Sequence, residues 1–148
     1  MNMTYRNGCA SEQAILFHLS RCGKNFIPHL GERVKLTCYA KKIVTKAERF
    51  EAWANDDLIG LLAVYCNSHD KKQAYITSLS VVIEWQGNGI ASALLANCIR
   101  HVKQCGFEHI ELEVSQNNKS AVELYKKYNF SFISEMGEQS RMQLKLDD

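Results

Sequence analysis

Proline is nearly missing from this sequence: Pro28 is the only one, and glycine supplies just eight of 148 residues. With so little turn-forming material there is no evident linker, and no repeat or low-complexity stretch breaks the chain. One domain spanning residues 1–148 is the expectation. An excess of one charge is missing too. Lys and Arg number 18 against 16 Asp and Glu, and no basic block is interleaved with aromatics. The formal net charge of +2 gives no pull toward nucleic acid or a membrane surface. Long apolar runs are absent, since stretches such as Leu58 to Tyr65 fall far short of a membrane span. The first residues, Met1 to Arg6, lack the apolar core of a secretion signal, which points to a cytoplasmic protein. Metal-binding spacing is lacking as well. None of Cys9, Cys22, Cys38, Cys66, Cys98 and Cys105 forms a C-x-x-C pair, and no histidine sits in a motif with any of them. Reduced, mostly core cysteines and no metal follow.

What the chain does hold is a 46% hydrophobic content, enough for one core. Thr4 to Arg6 reads as a short strand. Ser11 is placed to cap a helix over Glu12 to Cys22 whose apolar face carries Ile15, Leu16, Leu19 and Cys22. An irregular stretch from Gly23 to Arg33 contains Phe26-Ile27-Pro28-His29-Leu30, and helical spacing resumes from Val34 to Lys46. Two strands, Ala47 to Ala54 and Leu58 to Cys66, flank the polar turn Asn55-Asp56-Asp57 as a hairpin. A long strand is expected from Gln73 to Ile83, and a helix runs from the glycine loop to Cys105, with Gly106 as its cap. A strand over His109 to Val114 sets Ile110, Leu112 and Val114 against Glu111 and Glu113. A helix over Lys119 to Tyr128 and strands Phe130 to Ser134 and Arg141 to Leu146 complete an α/β sandwich around a mixed sheet.

The most informative run is Ser80 to Leu95, a buried strand, then Gly87-Asn88-Gly89, then an apolar helix. Such a junction offers backbone N–H groups and the positive end of a helix dipole to a phosphate. On its own the loop is equally a tight turn needing positive φ. Ser92 stands where a dinucleotide fingerprint wants its third glycine, and no Gly-Lys-Ser/Thr follows, so neither nucleotide-binding pattern fits.

A second segment narrows the choice. Gln86-x-x-Gly89-x-Ala91 together with Asn118-x-x-Ala121-x-x-Leu124-Tyr125-x-Lys127 closely resembles the two core motifs of the GNAT superfamily of acetyl-CoA-dependent N-acetyltransferases. The close resemblance covers Tyr75 to Ser134. Two positions depart from the pattern: Ala91 replaces a frequent glycine, and Asn129 replaces the glycine before Phe130. Asparagine tolerates left-handed φ, so that helix cap survives.

The resemblance implies a central, mostly antiparallel mixed sheet flanked by about four helices, with acetyl-CoA as cosubstrate. It maps the pantetheine arm onto the main chain of Leu79, Ser80 and Val81. The pyrophosphate falls on the amides of Gly87, Asn88, Gly89, Ile90, Ala91 and Ser92, with Gln86 as a side-chain donor. Asn118 matches a pantetheine contact and is equally an N-cap. Tyr125 matches the tyrosine beside the thioester sulfur, where a phenol protonates or stabilises the departing thiolate; outside the motif it would be an ordinary half-buried aromatic. Glu113 resembles the glutamate proposed as base in ribosomal-protein N-terminal alanine acetyltransferases, although solvated glutamates on alternating strands are common. Tyr75, Thr77 and Ser78 are further lining candidates, and His29 in the 26–30 stretch is a candidate acceptor contact.

The acceptor stays open among small amine, amino sugar and protein N-terminus, and the chain is either a monomer or a homodimer. Two other classes stand beside the enzyme: a non-catalytic acyl-CoA-binding regulator, and an interaction domain whose glycine loop is only a turn.

Overall fold

The computed structural model describes residues 3–22 and 33–146. In chain order its elements are β1 (Met3–Asn7), α1 (Glu12–Cys22), α2 (Arg33–Lys46), β2 (Glu48–Ala54), β3 (Asp57–Tyr65) and β4 (Gln73–Val81). A 3₁₀ turn (Ile83–Trp85) leads to α3 (Ile90–Gln104), β5 (His109–Ser115), α4 (Lys119–Lys127), β6 (Ser131–Met136) and β7 (Gln139–Lys145). The strands form one sheet in the order β1-β2-β3-β4-β5-β7-β6. Only the β4–β5 pair is parallel, and it is joined through the α3 crossover. Among the described residues this is the mixed, mostly antiparallel sheet with four α-helices that the motifs implied.

Local chemistry sets the element ends. The Ser11 hydroxyl accepts from the Ala14 amide at 3.1 Å and starts α1. Ala54 pairs with Asp57, so the hairpin turn is only two residues long, with Asn55 at a φ of 57°. Two expectations need correction. The strand expected to reach Ile83 stops at Val81, because the Trp85 amide donates to the Val82 carbonyl at 3.0 Å and coils the chain, leaving Ile83 exposed. On α1, His18 joins Ile15, Leu19 and Cys22 on the buried face, while Leu16 sits at its margin.

The sheet has a helix layer on each face. α3 lies across β3, where a Cβ on Gly60 would meet the Ile90 side chain at 3.0 Å and that of Leu94 at 3.3 Å. Glycine at position 60 therefore sets how closely the start of α3 approaches the sheet. α1 and α2 cover the opposite face and hydrogen-bond to it through His18 and Tyr39. All six cysteines are free thiols; Cys22 and Cys98 are buried, and Cys66 and Cys105 lie against the core. Among the described residues no helix is long and apolar enough to cross a membrane. The 26–30 stretch with His29 lies outside the described residues.

Candidate active site

β4 is a strand with one closed edge and one open edge. Against β5 it pairs only from Gln73↔His109 to Ile76↔Leu112, although β4 continues to Val81 and β5 to Ser115. Against β3 it stays paired to Gly60↔Val81, but the register steps from Val64↔Ile76 to Ala63↔Ser78 and leaves Thr77 as an extra residue. Such a bulge bends its strand and raises the local twist, which turns β4 away from β5. The Tyr39 hydroxyl holds the bulge, lying 2.6 Å from both the Thr77 carbonyl and Thr77 Oγ1. Burial raises the Tyr39 phenol far above its ordinary range, so the brace keeps its proton. The edge of Thr77 to Val81 facing β5 is left with backbone groups that a strand neighbour would otherwise engage.

The glycine loop follows directly. Gly87 and Gly89 have φ of 85° and 76°, and a Cβ at either would stand in open space. The first amide that α3 engages is that of Ala93, which donates to the Gly89 carbonyl at 3.0 Å. The amides ahead of it, those of Ile90, Ala91 and Ser92, have no partner within the helix and point with its dipole toward the cleft. The loop is braced from inside, with Asn88 Nδ2 donating to the Trp85 carbonyl at 3.0 Å and Gln86 Nε2 to the Val81 carbonyl at 3.1 Å. One hydrogen of the Gln86 side-chain amide is thus used within the loop, while Gln86 still lines the cleft.

These parts enclose a cleft of about 1010 Å³. Leu79, Ser80 and Val81 form one wall, and Gln86, Gly87, Gly89, Ile90, Ala91 and Ser92 another. Asn118, Ala121, Leu124 and Tyr125 of the α4 region close it, with Cys22, Gln139 and others at the margin. Asn88 is not part of the lining. Asn118 caps α4 by accepting from the Ala121 amide at 3.3 Å through Oδ1. Its Nδ2 has no partner among the described residues, so the cap and the ligand readings use different atoms.

Tyr125 is positioned by the end of its own helix. The Phe130 amide donates to the Tyr125 carbonyl at 3.0 Å and the Asn129 amide to that of Lys126 at 2.9 Å, with Asn129 at a φ of 74°. This is a Schellman cap built on asparagine. The accompanying apolar contact is the Tyr125–Phe130 ring pair, with centroids 5.6 Å apart. Burial raises the Tyr125 phenol well above its ordinary range, and its hydroxyl has no partner among the described residues.

Tyr125 also lines a smaller adjoining cavity of about 70 Å³, shared with Ser78, Asn118 and Glu113. Glu113 reaches it from the α2 face of the sheet, so carboxylate and phenol approach the gap between β4 and β5 from opposite sides. Glu113 Oε2 accepts from Arg141 Nη2 at 2.9 Å, while Arg141 Nη1 donates to Glu111 Oε1 at 2.9 Å. The paired carboxylates raise the Arg141 guanidinium still further, and it lies over the Tyr75 ring. The two glutamates differ. Glu111 is buried and also bonded by Gln143, whereas the Glu113 side chain is 27% exposed.

Sequence reasoning missed His18, whose ring is fully buried beneath the cleft wall. The Leu58 carbonyl, 3.0 Å from Nδ1, can only accept, so Nδ1 bears the hydrogen and Nε2 accepts from the Ser80 hydroxyl at 2.9 Å. Burial pushes the ring down to about 4, and it stays neutral. Cys22 Sγ lies 3.8 Å from Nε2, but burial raises the thiol and no thiolate nucleophile forms. The four-residue spacing on α1 was the only signal. Among the described residues no group of acidic, histidine or cysteine side chains is placed to hold a metal ion.

The sequence profile described as "Acetyltransferase (GNAT) family" matches residues 17–130. N-alpha-acetyltransferase MAK3 of Arabidopsis thaliana is 34% identical over 70 residues, which are 45% of this chain and 37% of that protein. The chain spans less than half the length of several curated relatives that it matches. In three dimensions PH1933 of Pyrococcus horikoshii OT3 superposes with a TM-score of 0.83 at 21% identity, covering 99% of this chain and 100% of that one. The PaiA N-acetyltransferase of Thermoplasma acidophilum, in complex with coenzyme A, superposes at 0.77 and 17% identity, covering 98% and 99%. At these identities the structural likeness is one of fold.

Proposed function

The chain belongs to the GNAT acetyltransferase family, and on that premise we propose that it transfers acetyl from acetyl-CoA to a primary amine. The acceptor is a protein N-terminus or a small molecule, attacking directly in a ternary complex. One observation carries the reading. The open edge of β4 runs into the glycine loop and the start of α3 along a single cleft that has Tyr125 in its wall.

In this reading the amides of Gly87 and of Gly89 to Ser92 take the pyrophosphate, which meets no side chain at the two glycines. The edge of Thr77 to Val81 pairs with the pantetheine arm, and Asn118 Nδ2 is a donor to it. The coenzyme A complex of the T. acidophilum relative supports this ligand in a protein of the same fold. Tyr125 faces the sulfur. Because burial keeps the phenol protonated, it donates a hydrogen bond as negative charge gathers on the leaving thiolate. Glu113 takes the ammonium proton, directly or through water. Arg141 fixes one of its oxygens and leaves Oε1 free for that proton. Placing base and acid on opposite faces lets amine and thioester meet at the gap between the strands.

The test is a thermal shift with acetyl-CoA followed by thiol release over N-terminal peptides, amino sugars and small amines. Ligand at about 100 times its Kd adds about 2.7 kcal/mol of stability. No shift overturns the reading. A shift without thiol release for any amine leaves the acyl-CoA-binding regulator instead.

A further inference from the structure

Tyr128 ends α4, and its amide donates to the Tyr125 carbonyl at 3.0 Å. Its ring is half-buried against the core. Its hydroxyl meets one residue, Ser92, which lies in the first turn of α3 and 36 positions earlier in the chain. The phenol donates to the Ser92 carbonyl at 3.2 Å. A phenol has one hydrogen, so in the second contact the Ser92 hydroxyl is the donor and the phenol oxygen accepts. Both oxygens of Ser92 are thus held from α4. Ser92 lines the cleft, and Tyr128 stands behind it, outside the lining. Water would satisfy a half-exposed phenol equally well, and a phenylalanine ring would fill the same place against the core. Neither packing nor solvation therefore accounts for where this hydroxyl points.

The bridge joins two parts of the cleft that sit on separate elements. The amides of Ile90, Ala91 and Ser92, without partners inside the helix, belong to the turn that Tyr128 holds. Tyr125 lies one turn before Tyr128 on α4, so the residue bonded to the cradle is also bonded to the helix that carries the phenol. We infer that Tyr128 is a positioning residue, which locks the phosphate cradle at the start of α3 to the helix carrying Tyr125. Seating the pyrophosphate then also fixes Tyr125 opposite the sulfur. Binding energy from a part of the donor that does not react thereby orients the part that does. The inference rests on the acetyl-CoA reading of the cleft.

The experiment follows amide hydrogen exchange in the wild type, Tyr128→Phe and Ser92→Ala. Each is measured with and without saturating adenosine 3′-phosphate 5′-diphosphate, the part of coenzyme A that lacks the pantetheine arm. In the wild type this probe is expected to slow exchange at residues 87–92 and, several-fold, at residues 123–127 of α4. In Tyr128→Phe the slowing at 87–92 is expected to remain and that at 123–127 to disappear. Ser92→Ala keeps the carbonyl bond and is expected to lose part of the slowing at 123–127. A merely structural Tyr128 would instead speed exchange of α4 in the free variant and leave the ligand-induced difference in place. No slowing of 123–127 in the wild type, or equal slowing in the wild type and Tyr128→Phe, overturns the inference while the cleft reading stands. Where α4 of free Tyr128→Phe exchanges too fast to read, equal slowing in the wild type and Ser92→Ala overturns it. Absence of slowing at 87–92 in the wild type removes the cleft reading and this inference together.

Discussion

The two edges of β4 face opposite tasks. Toward β3 the strand is paired from Tyr65↔Tyr75 to Gly60↔Val81, beside fully buried Leu61 and Leu62. Toward β5 it is paired for four residues and then parts from its neighbour, beside glycines whose missing side chains leave open space. The closed edge buries apolar surface, and burial supplies most of a fold's stability. The open edge leaves main-chain groups for a ligand. A single bulge at Thr77, held by Tyr39, lets one strand do both.

The sharpest way to separate the two edges is Tyr125→Phe on the open side. It is expected to cut kcat by about 10² or more where chemistry is rate-limiting, the scale of a lost proton donor. The midpoint of thermal unfolding should hardly move, and thiol-release kinetics beside a thermal melt check both. The counterpart on the closed side is Leu61→Ala. Truncating a fully buried leucine costs about 2–5 kcal/mol, read by denaturant unfolding, while CoA affinity of the folded fraction stays as in the wild type. An equal loss of both in either variant would erase the distinction.

His18 spans the two edges, since it bonds Leu58 of β3 and Ser80 in the cleft wall. Its folded pKa of about 4 lies below the ordinary 6.5, so the unfolded chain binds a proton that the folded one refuses. Stability is then full above about pH 6.5 and falls as the pH drops toward 4, by roughly 3 kcal/mol in all. Urea unfolding across that range checks the slope, and His18→Gln should flatten it. The smallest effect comes from Asn118→Asp. The N-cap oxygen persists and stability holds, but the Nδ2 donor is gone, and CoA affinity should fall a few-fold by calorimetry.

Much of the open edge was legible in the sequence because its signals are local. Gly87 and Gly89 mark left-handed backbone, Asn118 caps the next helix, and Asn129 takes the left-handed place that positions Tyr125. The closed edge and the braces on both sides of the sheet were less legible, because they depend on residues far apart in the chain. Tyr39 meets Thr77 across 38 positions, His18 meets Ser80 across 62, and Arg141 meets Glu113 across 28. No periodicity marks a buried histidine on a helix, or separates Glu111, buried and satisfied, from Glu113 two residues on. The early end of β4 was missed for a similar reason: Val82 and Ile83 read as strand, and only the hydrogen bond from Trp85 shows the turn.

The central claim is that the open edge of β4 and the loop amides beyond it are the ligand site. Amide hydrogen exchange with and without saturating CoA tests it most directly. Slower exchange over residues 77–81 and 87–92, with β1 to β3 unchanged, is the predicted result. Protection spread evenly over the sheet, or none at either segment while CoA is bound, would contradict it.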